Sequence, residues 1–301
     1  MKIGVIMGGI SSEYGISLNT GKEIMKHLDS EKHSIYPIEI NSKRELVEKV
    51  QGLEFVILAL HGKFGEDGTV QGALDAMGIP YTGSGLMSSA ICMNKDISKK
   101  LLRYEGIYTP DWLIVRNMDE LEYRKLEQLG YPVVIKPNSG GSSIGTYIVR
   151  NREEICAAVK EVLSLDNEAL IEEYVKGDEI TCSILNGNLL PVLSIKPKAE
   201  FFDYISKYDE EGAEENIVQL TENQYNQIKQ IATKCYEVLK CNVYARVDII
   251  IKNDVPYVLE VNTLPGMTKN SLFPKCAKAA GISFDQLLEL LIKYSLDVRK
   301  S

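Results

Sequence analysis

Four polar residues in the last quarter of the chain have the side-chain types that bind a metal ion and neutralise negative charge. They lie in two predicted strands, 244–251 and 255–261, in which the odd positions are apolar and several even positions are polar. Side chains alternate across a strand, so one face of this predicted hairpin packs on a core. The other face presents Arg246, Asp248, Glu260 and Asn262.

The spacing of these polar residues favours magnesium chemistry. If both apolar rows face the core, the hairpin pairs odd residues with odd residues through a three-residue loop at 252–254. This register places Asp248, Glu260 and Asn262 side by side. Magnesium prefers carboxylates combined with substrate phosphates, and the site is therefore predicted to bind it. The alternative is an ordinary hairpin whose polar face meets solvent.

Such a site needs elements that position a substrate beside it, and the N-terminal region has two candidates. A predicted buried strand at 3–7 leads through a Gly-Gly turn into a helix at about 17–28, and a second strand at 55–60 ends at His61. Ligands bind at the carboxyl ends of parallel strands, which makes Glu13 and His61 candidate binding residues. The alternatives are a helix-capping acid and a histidine satisfied by loop hydrogen bonds.

A glycine- and serine-rich loop follows the predicted strand 131–136. It reads Lys-Pro-Asn-Ser-Gly-Gly-Ser-Ser-Ile-Gly and begins at Lys136. Its many accessible backbone N–H groups are suited to covering phosphates. The loop lacks the Gly-x-x-x-x-Gly-Lys-Ser/Thr pattern of a Walker A motif, and the alternative is a plain linker.

Further strands are predicted at 169–175, 180–185 and 189–195, with a strong hairpin turn of Asn-Gly-Asn between the last two. Residues 201–220 show no clean period and are predicted to form a long functional loop. The alternative is a disordered acidic surface loop.

Composition limits the class of protein. The chain has 301 residues, enough for two or three domains, and its net charge of -8 argues against non-specific nucleic-acid binding. The six cysteines form no Cys-x-x-Cys pair and are expected to be reduced. Neither a signal peptide nor a membrane span is evident, so a cytoplasmic protein is expected. The dinucleotide fingerprint of an oxidoreductase is absent.

The order of motifs resembles the D-alanine–D-alanine ligase family. The motifs are Gly-Gly-x-Ser-x-Glu, Leu-His-Gly-x-x-Gly-Glu-Asp-Gly, Lys-Pro-x-x-x-Gly-Ser-Ser-x-Gly, Asp-Tyr-x-x-Lys-Tyr, Arg-x-Asp and Glu-x-Asn-Thr-x-Pro-Gly-Met-Thr. The resemblance implies an α/β fold with a Rossmann-like N-terminal substrate domain, followed by an α+β ATP-grasp part with two subdomains. The expected divisions are residues 1–92, a central subdomain at 93–179 and a catalytic subdomain at 180–301.

The resemblance also implies ligands and the residues that hold them. ATP would be bound by Lys95, Lys136, Ser142, Ser143, Glu172, Val175 and Glu179. Two Mg²⁺ or Mn²⁺ ions would be bound by Asp248, Glu260 and Asn262. The implied partners are therefore small molecules, D-alanine and ATP, with no nucleic acid and no membrane, and the implied assembly is a homodimer.

In the reaction that the resemblance implies, the carboxylate of the first D-alanine attacks the γ-phosphate of ATP to form an acyl phosphate. The amine of the second D-alanine then displaces phosphate, which yields the dipeptide for peptidoglycan precursors. The implied catalytic residues are Glu13, Ser142, Tyr208, Arg246 and Gly266. The implied substrate-binding residues are Glu13, His61, Lys207, Ser271 and Leu272, and the alternative for Ser271 is a helix cap.

Lys207 and Tyr208 would close over the site as part of a lid formed by residues 201–220. By the same resemblance, this pair favours an amine as the second nucleophile, whereas relatives that make D-alanyl-D-lactate tend to have a histidine there. The rival hypotheses are another ATP-grasp carboxylate–amine ligase, a D-alanine–D-lactate ligase and a non-catalytic nucleotide sensor. A sensor is expected to lack a metal ligand, and none is missing here.

Overall fold

The computed structural model describes residues 1–197 and 213–299. It begins with a parallel sheet of order β2-β1-β3 flanked by helices. The elements are β1 (Lys2–Gly8), α1 (Tyr14–His27), β2 (Ser34–Ile40), α2 (Lys43–Lys49), β3 (Phe55–Leu58) and α3 (Thr69–Ala76). All four residues of β3 are buried, as expected for a parallel strand that is covered on both faces.

Two consecutive helices, α4 (Leu86–Met93) and α5 (Lys95–Tyr104), lead out of this first layer. Asn94 lies between them and ends one helix while it caps the next, because its side chain accepts a hydrogen bond from the Ile97 N–H (2.9 Å). The cap fixes the start of α5, whose first residue is Lys95.

The next layer is an antiparallel sheet of order β4-β7-β5-β6 with helices packed on it. It consists of β4 (Trp112–Val115), a 3-10 turn (Met118–Glu120), α6 (Tyr123–Leu129), β5 (Val133–Pro137), β6 (Tyr147–Val149), α7 (Arg152–Leu165) and β7 (Ala169–Glu173). The buried face of α7 packs against the sheet through Ile155, Val159 and Val162.

A second antiparallel sheet has the order β11-β10-β8-β12-β13, with β9 paired to β8. Its elements are β8 (Asp178–Leu185), β9 (Asn188–Leu189), β10 (Leu193–Pro197), β11 (Ala213–Ile217), α8 (Glu222–Val238), β12 (Tyr244–Lys252) and β13 (Val255–Asn262). Two helices, α9 (Leu272–Ala279) and α10 (Phe284–Asp297), follow it.

Two predictions for this region were wrong. The strand predicted at 189–195 is divided into β9 and β10, and Pro191, which has no N–H for a sheet ladder, lies between them. The irregular segment predicted at 201–220 contains β11, which pairs with β10 at the edge of the sheet. The adjacent Glu214 and Glu215 break the alternation of apolar and polar residues by which a strand is predicted, although charged residues are common on edge strands.

The hydrophobic core joins the two ends of the chain. Phe55 in β3, Tyr244 in β12 and Phe273 in α9 belong to one buried cluster, in which the rings of Tyr244 and Phe273 are 5.5 Å apart. The division into residues 1–92, 93–179 and 180–301 stays a prediction. Its two boundaries fall within α4 and β8.

All six cysteines are free thiols, and five of them are buried. Among the residues that the structure describes, no helix is both long enough and apolar enough to cross a membrane.

Candidate active site

The hairpin of β12 and β13 places its polar residues on one face, as predicted. Asp248 lies directly opposite Glu260, and Arg246 lies opposite Asn262. Asp248 and Glu260 both line a cleft of about 880 Å³ between the two antiparallel sheets. Asn262 is joined to this pair by a hydrogen bond from its Nδ2 to Asp248 Oδ2 (3.0 Å).

The predicted three-residue loop and uniform register were wrong. The turn contains two residues, Asn253 and Asp254, both in the left-handed region (φ 51° and 62°), which matches the twist of paired strands. The register shifts between Asp248 and Ile249, and Leu259 has no partner there. Beyond this bulge the even residue Val258 is buried, whereas the odd residues of that segment are half-buried.

Besides Asn262, two neighbours fix the orientation of the Asp248 carboxylate. Arg246 donates to both of its oxygens (2.9 and 2.8 Å), and Thr181 Oγ1 on β8 donates to Oδ1 (2.7 Å). Burial works against the charge of Arg246, but the adjacent Asp248 outweighs burial and raises the pKa of Arg246. Arg246 therefore stays charged beside the cleft.

Two lysines also line the cleft: Lys95, which is buried, and Lys136, which is half-buried. Lys95 Nζ lies 3.5 Å from Glu260 Oε2 and also donates to the Gly140 carbonyl (2.5 Å). Burial lowers the pKa of Lys95, and the charge of Glu260 only partly offsets this effect. Lys136, at the end of β5, pairs with Glu172 on β7. The cleft is thus lined by these two lysines together with the carboxylates of Glu172, Asp248 and Glu260.

The glycine- and serine-rich loop forms the mouth of the cleft. Gly140, Gly141 and Ser143 line it, and Ser142 and Ser143 have left-handed backbones (φ 52° and 56°). Ser142 Oγ donates a hydrogen bond to the Glu13 carboxylate. Glu13 occupies the position before α1 but makes no side-chain capping bond, so the capping interpretation was wrong.

The metal-ligand prediction agrees with the donor types on the hairpin. In residues 1–197 and 213–299, no group of three or more His, Cys, Asp or Glu side chains is arranged to hold a metal ion. The hairpin instead offers two carboxylates and an amide. This set fits magnesium, which is commonly bound through one or two carboxylates and completed by substrate phosphates.

Two family models together match most of the chain. The model described as D-ala D-ala ligase C-terminus matches residues 101–293, and the N-terminus model matches residues 2–52 and 42–84. The chain is 55% identical over 300 residues to the D-alanine–D-alanine ligase of Clostridium botulinum (strain Loch Maree / Type A3), and 100% of each chain is covered. The chain belongs to the D-alanine–D-alanine ligase family.

Solved structures of this ligase family have the same fold. The D-alanine–D-alanine ligase from Bacillus anthracis complexed with ATP is 50% identical, with a TM-score of 0.92 over 100% of this chain and 99% of that one. The VanG D-Ala:D-Ser ligase from Enterococcus faecalis is 31% identical, with a TM-score of 0.85 over 98% and 99%. The predicted Rossmann-like domain followed by an ATP-grasp fold is therefore confirmed.

The site residues that the family resemblance implied differ in where they lie relative to the cleft. Those that line the cleft are Lys95, Lys136, Ser143, Glu172, Val175, Glu179, Asp248 and Glu260. Arg246 and Asn262 contact Asp248, and Ser142 contacts Glu13. Lys207 and Tyr208 lie outside the described residues.

The remaining predicted residues lie in neighbouring loops or at the start of α9. His61 is buried; its Nε2 lies 3.1 Å from Thr20 Oγ1 on α1, and its Nδ1 lies 3.6 Å from Glu66 Oε1. Its role in substrate binding stays a prediction. Ser271 precedes α9 but makes no side-chain capping bond. Its Oγ accepts from the Thr268 N–H (3.1 Å), and a Cβ on Gly266 would lie 3.0 Å from it. Leu272 is the first residue of α9.

Two residues beside the site were missed in the sequence. Thr181 holds Asp248 from the neighbouring strand, and Lys99 pairs with Glu172 (2.7 Å). Lys99 lies one helical turn after Lys95, and this i, i+4 spacing was the available signal. Nothing local marks Thr181, because its partner is 67 residues away.

Proposed function

We propose that this protein ligates two D-alanines to D-alanyl-D-alanine, with conversion of ATP to ADP and phosphate, in peptidoglycan precursor synthesis. The observation that supports this most directly is the cleft, in which Lys95 and Lys136 face Asp248 and Glu260. Opposed cations and carboxylates are what phosphoryl transfer requires, because it depends on positioning and charge neutralisation. The full-length likeness to curated ligases supports the substrate.

In this proposal ATP occupies the cleft between the two antiparallel sheets. Lys95 and Lys136 contact its phosphates, and Glu172, Glu179 and the backbone near Val175 hold the nucleoside. Ser142 and Ser143 cover the phosphates, because the backbone N–H groups of this glycine- and serine-rich loop are suited to donate to phosphate oxygens.

Asp248, Glu260 and Asn262 would hold two Mg²⁺ or Mn²⁺ ions together with the phosphates of ATP. When bound, these ions neutralise phosphate charge, and the protein supplies their orientation. Thr181 and Arg246 fix the Asp248 carboxylate, so this ligand is preorganised before the nucleotide binds.

The carboxylate of the first D-alanine attacks the γ-phosphorus and ADP leaves, which forms D-alanyl phosphate. The amine of the second D-alanine then attacks the acyl carbon, and phosphate leaves as the peptide bond forms. Arg246 and the Gly266 N–H are proposed to stabilise the oxyanion of the tetrahedral intermediate. Asp248 holds Arg246 before the reaction, and Gly266 lies so close to Ser271 that a Cβ on it would be 3.0 Å from Ser271 Oγ.

The substrate residues are proposed from their placement around this centre. Glu13 binds the ammonium of the first D-alanine, which its buried carboxylate can neutralise. Ser271 and Leu272 bind the carboxylate of the second substrate at the start of α9, because the first N–H groups of a helix have no partner within the helix and attract anions. His61, which follows β3 in the N-terminal region, is also proposed to bind substrate. Lys207 and Tyr208 complete the lid in this proposal.

The purified protein should be incubated with ATP, Mg²⁺ and one of three additions: D-alanine alone, L-alanine alone, or D-alanine mixed with D-serine or D-lactate. Phosphate release is measured, and the products are identified by mass. We expect D-alanyl-D-alanine as the main product and no phosphate release above background with L-alanine. A preference for D-alanyl-D-serine or D-alanyl-D-lactate would overturn the choice of second substrate, and phosphate release without any ligated product would overturn the ligase assignment.

The proposed assembly is a homodimer that binds small molecules and neither nucleic acid nor membranes. The net charge of -8 supports the exclusion of nucleic acid. Light scattering after size-exclusion chromatography tests the dimer, for which a mass near twice 33.7 kDa is expected.

A further inference from the structure

Lys99 is a fully buried lysine that does not line the cleft. It lies on α5 one turn after Lys95, and its side chain is 1% exposed. Its Nζ is 2.7 Å from Glu172 Oε2. The other oxygen of Glu172 pairs with Lys136, which does line the cleft. One buried carboxylate is thus shared by a lysine at the cleft and a lysine behind it.

The position of Lys99 is fixed from several sides. Its Nζ lies 5.1 Å from the centre of the Trp112 ring, and the Arg103 guanidinium lies 4.4 Å from the same ring. Trp112 is opposite Glu172 in the sheet, and its Nε1 donates to Asp96 on α5 (2.9 Å). Helix α5 and strands β4 and β7 therefore hold Lys99 in place.

Neutralising Glu172 does not require Lys99, because Lys136 already pairs with it. A second buried cation is costly, since burial penalises charge. This cost is visible in Lys99 itself, because burial lowers its pKa to about 8 despite the attraction of Glu172. In Lys136, by contrast, the charges of Glu172 and Glu260 outweigh burial and raise the pKa. The three side chains together have a net charge of about +1 at neutral pH.

We propose that Lys99 is a positioning residue for the nucleotide: it shares the charge of Glu172, so that Lys136 keeps a positive charge directed at the phosphates of ATP. Without Lys99, Glu172 and Lys136 would form a closed neutral pair. The cleft would then lose one unit of the positive charge that faces an anionic ligand. This inference rests on the proposed nucleotide site and adds a residue that does not contact the ligand.

The test measures equilibrium binding of ATP with Mg²⁺, and of adenosine by competition, to the full-length protein. The variants are Lys99→Met, which removes the charge, and Lys99→Arg, which keeps it. Lys100→Met is the matched control, because Lys100 is on the same helix but is 61% exposed and pairs with Asp96. If Lys99→Met does not fold, Lys99→Gln replaces it, since Gln retains a donor for Glu172.

We expect Lys99→Met to weaken ATP binding about tenfold and adenosine binding less than twofold. Lys99→Arg should recover most of the ATP affinity, and Lys100→Met should bind like the wild type. Unchanged ATP binding with reduced stability would overturn the proposal and leave Lys99 a structural residue. Equal weakening for both ligands would also overturn it, because it would place the effect at the nucleoside.

Binding is measured without ligation, so the outcome does not depend on the substrate of the enzyme. If the wild type binds ATP but forms no dipeptide, the proposed function fails and this test still applies. If the wild type ligates D-alanine and Lys99→Met keeps its ATP affinity, only this inference fails.

Discussion

At the scale of single residues, the two hairpin carboxylates differ in what surrounds them. Asp248 is buried and is the bidentate partner of Arg246, whose side chain is only 13% exposed. Glu260 is more exposed, and Lys95 Nζ lies 3.5 Å from its Oε2. Removing the charge of Asp248 therefore leaves a buried cation without its anion, whereas removing that of Glu260 does so to a smaller degree.

We therefore predict that Glu260→Gln and Asp248→Asn both lower kcat by about 10²-fold or more, but differ in stability. Asp248→Asn should also lower the free energy of unfolding by about 3 kcal/mol, because Arg246 loses its partner. Steady-state kinetics and urea unfolding check this, with the exposed Glu237→Gln as the control. Near wild-type turnover of Glu260→Gln with magnesium would contradict the metal assignment.

Lys99 gives a pH dependence of stability whose sign is unusual for a lysine. Burial lowers its pKa from the ordinary 10.5 to about 8, so the unfolded chain binds more protons between these two values. Stability must then rise with pH across this window, since the charged form is the disfavoured one in the folded protein.

Relative to Lys99→Met, the wild type should gain about 2 kcal/mol of unfolding free energy between pH 7.5 and 9.5. Urea unfolding at both pH values measures it. Lys99→Arg stays charged throughout and should show no such gain. A constant difference between wild type and Lys99→Met would show that Lys99 does not titrate in this range.

At the scale of elements, what the sequence predicted depended on whether the signal was local. The alternation in β12 and β13 predicted the hairpin and its polar face, because a period of two is visible within one strand. The bulge was not predictable, because Val258 and Leu259 are both apolar and either could be the inserted residue. The pairing of Lys99 with Glu172 joins residues 73 apart and depends on how α5 packs against a sheet.

The glycine- and serine-rich loop that begins at Lys136, the phosphate loop, depends on glycine for its backbone conformation. The requirement for glycine is strongest at Gly145. Its backbone is left-handed (φ 71°), and a Cβ there would lie 2.6 Å from Leu165 Cδ1. Gly141 is in the same loop, but a Cβ there would meet no atom within 4 Å. A substitution at Gly141 is therefore a matched control for the same substitution at Gly145.

We predict that Gly145→Ala lowers the free energy of unfolding by about 1–2 kcal/mol, because alanine is strained in this conformation. Gly141→Ala should change it by less than about 0.5 kcal/mol. Urea unfolding without nucleotide is the measurement, so that contacts with ATP do not contribute. Equal losses in both variants would show that the strain at Gly145 is relieved by movement of the loop.

At the scale of the whole molecule, one hydrogen bond connects parts of the chain that bind different substrates in the proposed function. Ser142 belongs to the phosphate loop after β5, and it donates to Glu13 in the N-terminal region, 129 residues away. Glu13 is buried where α1 begins. Closure of the loop over ATP is thereby linked to the site proposed for the first D-alanine. Such closure excludes water that would otherwise hydrolyse an acyl phosphate.

Ser142→Ala removes this connection and should increase the phosphate released per D-alanyl-D-alanine formed by at least about twofold, because water reaches the acyl phosphate more often. Both products are measured in one reaction near neutral pH. Ser139→Ala is the control, since Ser139 lies in the same loop but is held through its backbone N–H by Asp166 (2.6 Å). The control should keep the wild-type ratio. If Ser142→Ala slows ligation while the ratio stays at the wild-type value, the contact with Glu13 positions substrate but does not exclude water.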